Sequence, residues 1–269
     1  MINSICITCG TEFAAAPAAP DRCPICEDER QYRGWDGQQW TTLEELGATH
    51  RNVVREEGGE LTGVGIEPAF AIGQRALHVE AARGGVLWDC VPLVTADAVA
   101  AVQRTAPVSA IAVSHPHYYS GMIAWSRALG GVPVYVHADD RRWVMRPDPA
   151  IVYWRGDHHE LAPGLTLVRC GGHFDGGAVL HWAAGAGGAG ALLTGDVIQV
   201  CQDRRSVSFM YSYPNLIPVN AAAVRRIVSA VTTFPFDRIY GAWWGRNILG
   251  DAREVLRRSA ARYIRAISP

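Results

Sequence analysis

Ser-His-Pro-His-Tyr-Tyr-Ser-Gly, at positions 114–121, is the stretch that decides the fold. The apolar run at 108–113 precedes it and has the composition of a buried strand. His115 and His117 therefore stand where a strand opens into a loop, and both imidazoles can face one point. This geometry is typical of a metal site, although by spacing alone two ordinary loop histidines are the more common case.

Further motifs lie on both sides of this stretch. His173 lies in the glycine-rich run 171–177, which follows a strand-like segment. Asp196 ends a later apolar run, and Asp89 ends an earlier one. His173 and Asp196 strengthen the interpretation of His115 and His117 as metal ligands.

Taken in order, these motifs resemble the metallo-β-lactamase-fold superfamily. Its pattern is a His-x-His-x-Asp-His loop, a later Gly-His turn, a Gly-Asp at a strand end and a last histidine near the C-terminus. The resemblance covers roughly residues 60–250. It implies an α+β fold, a four-layer αββα sandwich spanning 46–269, in which Asp89 supports the metal ligands from behind.

The chain departs from the superfamily pattern at the second metal. Tyr119 and Ser120 stand where the superfamily has aspartate and histidine, and the run 240–245 lacks the last histidine. Carried over residue by residue, the resemblance leaves one ligand set with an open position for water or substrate. We therefore expect a mononuclear centre holding Zn²⁺ or Fe²⁺, and a metal-free relative that keeps only the fold is the alternative. The expected ligands are His115, His117, His173 and Asp196.

Residues 1–45 contain two Cys-x-x-Cys pairs, Cys6 with Cys9 and Cys23 with Cys26, separated by thirteen residues. This spacing predicts a zinc-ribbon-like module in which four thiolates close a tetrahedral structural Zn²⁺ site. Two disulfide bonds in a secreted protein are the alternative. The segment between the pairs is too small and apolar to form a core, so the metal must hold the module together. The other cysteines are interpreted as buried structural thiols: Cys90, Cys170 and Cys201.

Composition narrows the classes of function. A hydrophobic fraction of 49% in 269 residues allows a sizeable core, and a net charge of −1 gives no general attraction to nucleic acid or anionic membranes. Three arginines against eight acidic residues in 1–45 also argue against nucleic-acid binding. The module is expected to dock on the body of the chain or to mediate a homo-oligomer contact. With no signal-peptide pattern and no apolar run of bilayer length, we expect a cytoplasmic protein without membrane contact.

The expected chemistry follows from the single metal. A divalent ion lowers the pKa of bound water to near 7 and supplies hydroxide as the nucleophile. We expect a metal-dependent hydrolase of a small carbonyl substrate, namely an ester, thioester, lactone or amide. Asp196 and Tyr119 are the catalytic candidates, with Tyr119 either donating a hydrogen bond to the oxyanion or walling the pocket. The absence of lysine excludes Schiff-base and lysine-base mechanisms.

Two other classes of function stay open. His115, His173 and Asp196 also form a two-histidine, one-carboxylate triad suited to non-haem Fe(II), so an oxygenase of the same fold is the first alternative. A non-catalytic scaffold whose module binds a partner is the second. In that case removing His115 leaves the cellular activity intact.

Aromatic segments flanking the ligands are expected to wall the substrate pocket, although large aromatics more commonly belong to the core. One of the two tryptophans in 243–244 must fill the volume that the missing histidine leaves. Arg246 can then reach a substrate carboxylate with two hydrogen bonds. The remaining histidines are interpreted as surface or supporting residues: His137, His158 and His159. The predicted substrate contacts are Tyr211, Tyr213, Trp243, Trp244 and Arg246.

The pattern outside the motifs predicts short strands and flanking helices. A capped helix is expected to start at Thr41 or Thr42, followed by glutamates in its first turn. The C-terminal arginines, spaced by three and four, are interpreted as the solvated stripe of a helix. The predicted strands are Leu61–Glu67, 70–73, Ala76–Ala81 and 86–91, and the predicted helices are 96–105, 122–129, 220–231 and 251–267.

Overall fold

A computed structural model describes residues 1–81 and 84–268 of the chain. At its N-terminus, β1 (Ile5–Cys6) pairs antiparallel with β2 (Trp40–Thr41), and the short helix α1 (Pro24–Glu27) lies between them. The buried side chains of this module join a cluster that also contains residues of the body, and Ala14 N–H donates to the Met145 carbonyl at 3.1 Å. The module is therefore docked on its own chain.

Helix α2 (Leu43–Thr49) begins with the capping box that the sequence predicts. The Thr42 hydroxyl accepts from the Glu45 N–H at 3.2 Å, and the Glu45 carboxylate accepts from the Thr42 N–H at 3.0 Å. Two otherwise unsatisfied backbone donors of the first turn are thus paired.

The first sheet has seven strands, ordered as they occur in the chain. Its first four strands form an antiparallel meander, and its last three are added in parallel. The strands are β3 (Arg51–Glu57), β4 (Leu61–Glu67), β5 (Ala76–Ala81), β6 (Gly84–Trp88), β7 (Val108–Ala112), β8 (Val134–His137) and β9 (Ile151–Trp154).

The predicted strand at 70–73 is wrong. Ala71 and Gly73 have φ of 53° and 67°, and the Gly73 N–H donates to the Phe70 carbonyl, which closes a turn. A strand cannot contain left-handed residues of this kind. Strand β3 was not expected, because its polar side chains on an exposed edge give no apolar alternation.

The second sheet has six strands in the order β10-β11-β12-β13-β18-β19, with one parallel pair, β13 and β18. Two small hairpins, β14 with β15 and β16 with β17, lie between β13 and β18 in the chain. The strands are β10 (His158–Ala162), β11 (Leu165–Arg169), β12 (Ala178–Trp182), β13 (Ala191–Gly195), β14 (Gln199–Val200), β15 (Val207–Ser208), β16 (Met210–Ser212), β17 (Ile217–Pro218), β18 (Arg238–Gly241) and β19 (Asn247–Ile248).

The two sheets face each other, because alternate residues of each strand point to opposite faces. Trp88 and Ala112 of the first sheet share a buried cluster with Leu180 and Leu193 of the second. Leu87 points the other way, into the cluster with α2 and α3. The second sheet packs its outer face on α5 and α6. The helices are α3 (Ala96–Gln103), α4 (Met122–Ala128), α5 (Ala221–Thr232) and α6 (Ala252–Ile267).

These layers confirm the predicted αββα sandwich. The four helices outside the module region lie within a few residues of their predicted bounds. Among the described residues, no helix has both the length and the apolar character needed to cross a membrane.

Candidate metal centres

The four expected ligands of the histidine centre meet at one edge of the sandwich. His115 and His117 follow β7, in and beside a short 3-10 helix (Pro116–Tyr118), while His173 and Asp196 follow β11 and β13. One donor atom from each residue lies within 4.8 Å of all the others. The group can therefore hold one metal ion, as the sequence predicts.

The donor atoms of the four residues lie close together in two pairs. His115 Nε2 lies 3.0 Å from Asp196 Oδ1, and His173 Nε2 lies 3.1 Å from His117 Nδ1. His115 Nε2 and Asp196 Oδ1 are buried and lack an aligned hydrogen bond, despite their short separation. Buried polar atoms left in this state call for a partner, and a cation between them would satisfy both. The residues present thus fit a bound divalent metal.

The second ring nitrogens fix the orientation of the imidazoles. His173 Nδ1 lies 3.0 Å from the Met210 carbonyl, so it carries the proton and leaves Nε2 free as a ligand. His115 Nδ1 lies 3.0 Å from the Ser114 hydroxyl. The Ser114 N–H in turn donates to Asp89 Oδ1 at 2.8 Å, which gives Asp89 the supporting place that the resemblance implies.

The protonation of these groups suits metal binding. Burial lowers the pKa of His173 to about 4 and holds the pKa of His117 well below its usual range. Burial alone would raise the pKa of Asp196, but the nearby imidazoles, His115 first, outweigh it and keep that pKa well below its usual range. At neutral pH His117 and His173 are therefore neutral and Asp196 is ionised, the forms that bind metals.

The turn that carries His173 requires glycine. Gly172 has a φ of 87°, and a Cβ there would stand 2.8 Å from Ile227 Cδ1 of α5. Both the backbone conformation and the close approach of the helix exclude larger residues. The glycine-flanked pattern in the sequence therefore reflects how tightly this turn is held over the second sheet.

The residues at the positions of the second metal's ligands have other partners. The Ser120 hydroxyl accepts from Gln74 Nε2 at 3.0 Å and faces the Cys90 carbonyl at 3.3 Å. The Tyr119 ring is buried. Burial raises the pKa of its hydroxyl well above the usual range, and the nearby Asp140 and Tyr153 add to this rise. Tyr119 was predicted either to donate to the oxyanion or to wall the pocket, and both roles stay predictions.

The predicted tyrosines lie at the histidine centre in different ways. The Tyr213 hydroxyl donates to the Asp196 carbonyl at 2.6 Å, and its ring centroid is 5.6 Å from that of His173. Tyr211 points instead toward the N-terminal module and donates to Glu29 Oε1 at 2.8 Å. Substrate contact by either residue stays a prediction.

The tryptophan pair and Arg246 occupy the loop after β18. Trp243 Nε1 donates to the Ile72 carbonyl at 2.8 Å. Trp244 lies flat on β4, so close to Gly65 that a Cβ there would stand 2.7 Å from the indole. Arg246 is half-buried, with its backbone paired to Gly241 and Trp243. Their role in binding a substrate stays a prediction.

Two residues at this centre were missed. The Tyr118 ring packs edge-on against His115, with centroids 4.8 Å apart, and its buried hydroxyl has no hydrogen-bond partner among the described residues. Arg30 of the module donates through Nη1 to the His173 carbonyl at 3.3 Å. Tyr118 lies within the opening motif, but no spacing rule points to Arg30, which is 143 residues from His173.

The cysteines of the module form a second, separate cluster. Its four sulfurs lie within 4.8 Å of one another, and all four residues are buried. Cys6 and Cys26 sulfurs are 3.6 Å apart, and those of Cys9 and Cys23 are 3.7 Å apart, so neither pair is a disulfide. The group can hold a metal ion, as the spacing predicts.

Thiol contacts move the pKa values of this cluster in opposite directions. Hydrogen bonds with neighbouring thiols, Cys23 first, hold the pKa of Cys6 well below its usual range. The same kind of contact raises the pKa values of Cys9 and Cys26 well above theirs. Four thiolates cannot coexist here without a compensating cation, which is what a tetrahedral metal supplies.

The remaining predicted structural residues are mixed. Burial raises the pKa of Cys90 far above its usual range and that of Cys170 to about 12, so both are inert buried thiols as expected. Cys201 is only half-buried, contrary to that prediction. His158 is exposed and His159 half-buried, whereas His137 is buried, with Nε2 3.1 Å from the Gly156 carbonyl.

Comparison with solved structures identifies the fold. VMB-1 superposes with a TM-score of 0.61 at 14% identity, covering 81% of this chain and 99% of that one. The mono-zinc form of the metallo-β-lactamase FIM-1 from Pseudomonas aeruginosa gives 0.59 at 16% identity, covering 81% and 97%. A metallo-β-lactamase from Hirschia baltica gives 0.54 at 21% identity, covering 78% and 96%. The sandwich and the His/Asp group at its edge thus define a protein of the metallo-β-lactamase fold.

No protein-family profile matches the chain. It is 46% identical over 266 residues to the uncharacterized protein YmaE of Bacillus subtilis (strain 168). The alignment covers 98% of this chain and 96% of the relative. The chain therefore belongs to the same family as YmaE.

Proposed function

We propose that the chain is a mononuclear metal-dependent hydrolase of a small carbonyl substrate, such as an ester, thioester, lactone or amide. The observation that carries the proposal is the convergence of His115, His117, His173 and Asp196, whose donor atoms lie within 4.8 Å of one another. Bound there, a divalent metal supplies an acidified water as nucleophile and polarises a carbonyl oxygen.

The residues around the ligands support a single metal. Ser120 and Tyr119 are neutral side chains, and Ser120 is already engaged by Gln74. Near the β18 end, the place of the last histidine, the buried Arg75 guanidinium donates to the Gly241 carbonyl at 2.9 Å. Arg75 is in turn paired with Glu57, with Nη1 2.6 Å from Oε2, so an ion pair stands at this strand end in place of a metal-binding histidine.

Tyr118 is a candidate hydrogen-bond donor to the substrate, because its ring packs on His115 and its hydroxyl has no partner among the described residues. Burial, with further contributions from Asp196 and Asp89, raises the pKa of Tyr118 well above its usual range. The phenol therefore keeps its proton at neutral pH. A neutral donor without a partner, lying against His115, suits a developing negative charge on the substrate. Tyr213 holds the Asp196 backbone and so orients the carboxylate.

We also propose that the cysteine cluster binds structural Zn²⁺, because four sulfurs without an open position suit that ion. Such a site needs reduced thiols, which supports a reducing compartment such as the cytoplasm. The proposed ligands of this zinc are Cys6, Cys9, Cys23 and Cys26.

The test is metal analysis after anaerobic purification, combined with hydrolysis of a panel of esters, thioesters, lactones and amides. We expect two metals per chain and hydrolysis that His115→Ala abolishes, whereas the exposed His158→Ala keeps it. Stoichiometric iron with oxygen consumption in place of hydrolysis would overturn the proposal in favour of an iron oxygenase. Metal only at the cysteines, with no turnover, would favour a scaffold.

A further inference from the structure

One segment of the cysteine module, residues 28–31, lies directly against the histidine centre. Arg30 is only 5% exposed, and its Nη1 donates to the His173 carbonyl at 3.3 Å. Its guanidinium carbon lies 4.1 Å from the ring centroid of Phe174, which follows His173 in the chain. A metal ligand of the body is therefore held from behind by a residue of the module.

The charge of Arg30 is already neutralised within the module. Asp28 accepts from its Nε at 2.5 Å and from its Nη2 at 2.8 Å, a two-point pairing that fixes the plane of the guanidinium. Because this pair is closed, Arg30 has no free face for a substrate anion. Its third nitrogen, Nη1, donates to the His173 carbonyl, which gives Arg30 a positioning role.

The same segment also holds the loop that supports the other side of the centre. Asn215 Nδ2 donates to the Glu29 and Gln31 carbonyls at 2.9 and 3.0 Å. Asn215 belongs to the loop that joins β16 to β17, which also contains Tyr213, the donor to the Asp196 carbonyl. The Met210 carbonyl of β16 accepts a hydrogen bond from His173 Nδ1. Segment 28–31 thus braces the surroundings of two ligands.

The position of this segment depends on the cysteine cluster. Residue 28 directly follows α1, the four-residue helix that contains Cys26. A helix of four residues and strands of two residues do not persist alone in water, because they are far shorter than a stable isolated element. Metal binding by the four thiols therefore sets where Arg30 stands.

We infer that Arg30 is a positioning residue for His173, and that metal in the cysteine cluster raises the metal affinity of the histidine centre. The inference rests on the proposed function, because it requires that the histidine centre binds a metal. Such coupling is reciprocal: metal in the histidine centre must raise the metal affinity of the cysteine cluster by the same factor. The structural carrier is the path from Cys26 through Arg30 to His173.

The experiment measures metal affinity directly. The full-length protein is treated with a mild chelator until the histidine centre is empty and the cysteine cluster still holds zinc, then titrated with Co²⁺. Ligand-field absorption of Co²⁺ bound by nitrogen and oxygen is distinct from thiolate charge transfer, so each centre is followed separately. We expect Arg30→Gln to weaken Co²⁺ binding at the histidine centre about 10-fold or more, the usual effect of losing a supporting contact.

Two further variants make the result decisive. Arg33→Gln is the matched control, since Arg33 lies in the same module but pairs with Glu27 at 2.6 Å and is 60% exposed. It should bind Co²⁺ like the wild type. Asn215→Ala removes a brace without touching Arg30 and should weaken binding in the same direction by a smaller factor. If Arg30→Gln does not fold, as judged by circular dichroism, Asn215→Ala decides.

The possible outcomes separate the inference from the proposed function. Wild-type affinity in both Arg30→Gln and Asn215→Ala would overturn the inference and leave the hydrolase proposal standing. Equal weakening in Arg33→Gln would also overturn it, because the effect would then be general to the module. Absence of a Co²⁺ band at the histidine centre of the wild type would overturn the proposed function, and the inference with it.

Discussion

The two metal centres of this chain are built in opposite ways. The cysteine cluster draws its ligands from residues 6–26, whereas the histidine centre draws its own from residues 115–196, on the loops of two sheets. Both ligand sets are buried, with His115 1% and Cys26 2% exposed. The difference lies in what exists without metal: the sandwich has its own core, and the module does not. We therefore expect metal to organise the fold of the module, whereas the fold of the sandwich organises the histidine centre.

Removing thiolates should have the largest effect. In Cys23→Ser/Cys26→Ser we expect loss of one metal per chain and unfolding of residues 1–41, because structural zinc contributes about 10–16 kcal/mol to such modules. Elemental analysis and limited proteolysis check both results. Cys201→Ser, a half-buried cysteine outside the cluster, is the control. A proteolytically resistant module in the double variant would break the comparison.

Removing a histidine ligand should abolish activity but leave the fold of the body intact. His173→Ala is expected to lose the metal of the histidine centre and all hydrolysis, while keeping the zinc of the module. The buried side chains of the two sheets do not include His173, so circular dichroism and thermal unfolding should show an intact sandwich. Unfolding of the body in this variant would mean that both centres organise their folds.

Within the histidine region, Tyr118→Phe should lower kcat about 10²-fold or more without loss of metal, the usual cost of removing one oxyanion donor. Steady-state kinetics with metal analysis measure this. Tyr119→Phe is the matched neighbour, and its hydroxyl is acted on by Asp140 and Tyr153. A larger loss of kcat in Tyr119→Phe would restore the role that the sequence predicts for it.

The long-range assembly of the histidine centre should have a measurable cost in stability. Asp140 accepts a hydrogen bond from the Gly176 N–H at 3.0 Å and so fixes the turn of His173. Burial raises the pKa of Asp140 to about 6. The repulsion of Asp175 adds to this rise, and the attraction of His115 and Arg30 opposes it. A carboxyl with a raised folded-state pKa stabilises the fold most when protonated, and this contribution is lost as pH rises through about 6.

Asp140→Asn keeps the acceptor and removes the charge. We expect the variant to gain on the order of 1–3 kcal/mol of unfolding free energy relative to the wild type at pH 7.5, and little at about pH 4. Urea unfolding at the two pH values measures the difference. A constant difference between them would show that the charge of Asp140 has no part in the cost.

Adding excess metal should have the smallest effect on the histidine centre. We expect no second ion beside the first, since Ser120 is bonded to Gln74, and Arg75, paired with Glu57, is bonded to the Gly241 carbonyl at the strand end. A crystal soaked in concentrated zinc checks this. Two ions about 3.5–4 Å apart would make the centre binuclear and favour two-metal chemistry.

The sequence predicted what depends on local pattern or on an ordered set of motifs. Paired cysteines reveal a local cluster through spacing alone, and four ligands of the histidine centre followed from motif order. The turn at 70–73 was missed because left-handed residues such as Ala71 have no composition signal. Arg30 was missed because its contact with His173 exists only after the module docks, and no periodicity encodes docking.

The contact of Arg30 with His173 also has a consequence for biosynthesis. The ligands of the cysteine cluster span twenty residues and precede every ligand of the histidine centre in the chain, so their loop closes first and at small entropic cost. His173 leaves the ribosome 143 residues after Arg30. We therefore expect the nascent chain to bind zinc at the cysteine cluster before the turn of His173 is synthesised. The module surface that contains Arg30 would then already be folded when His173 reaches it.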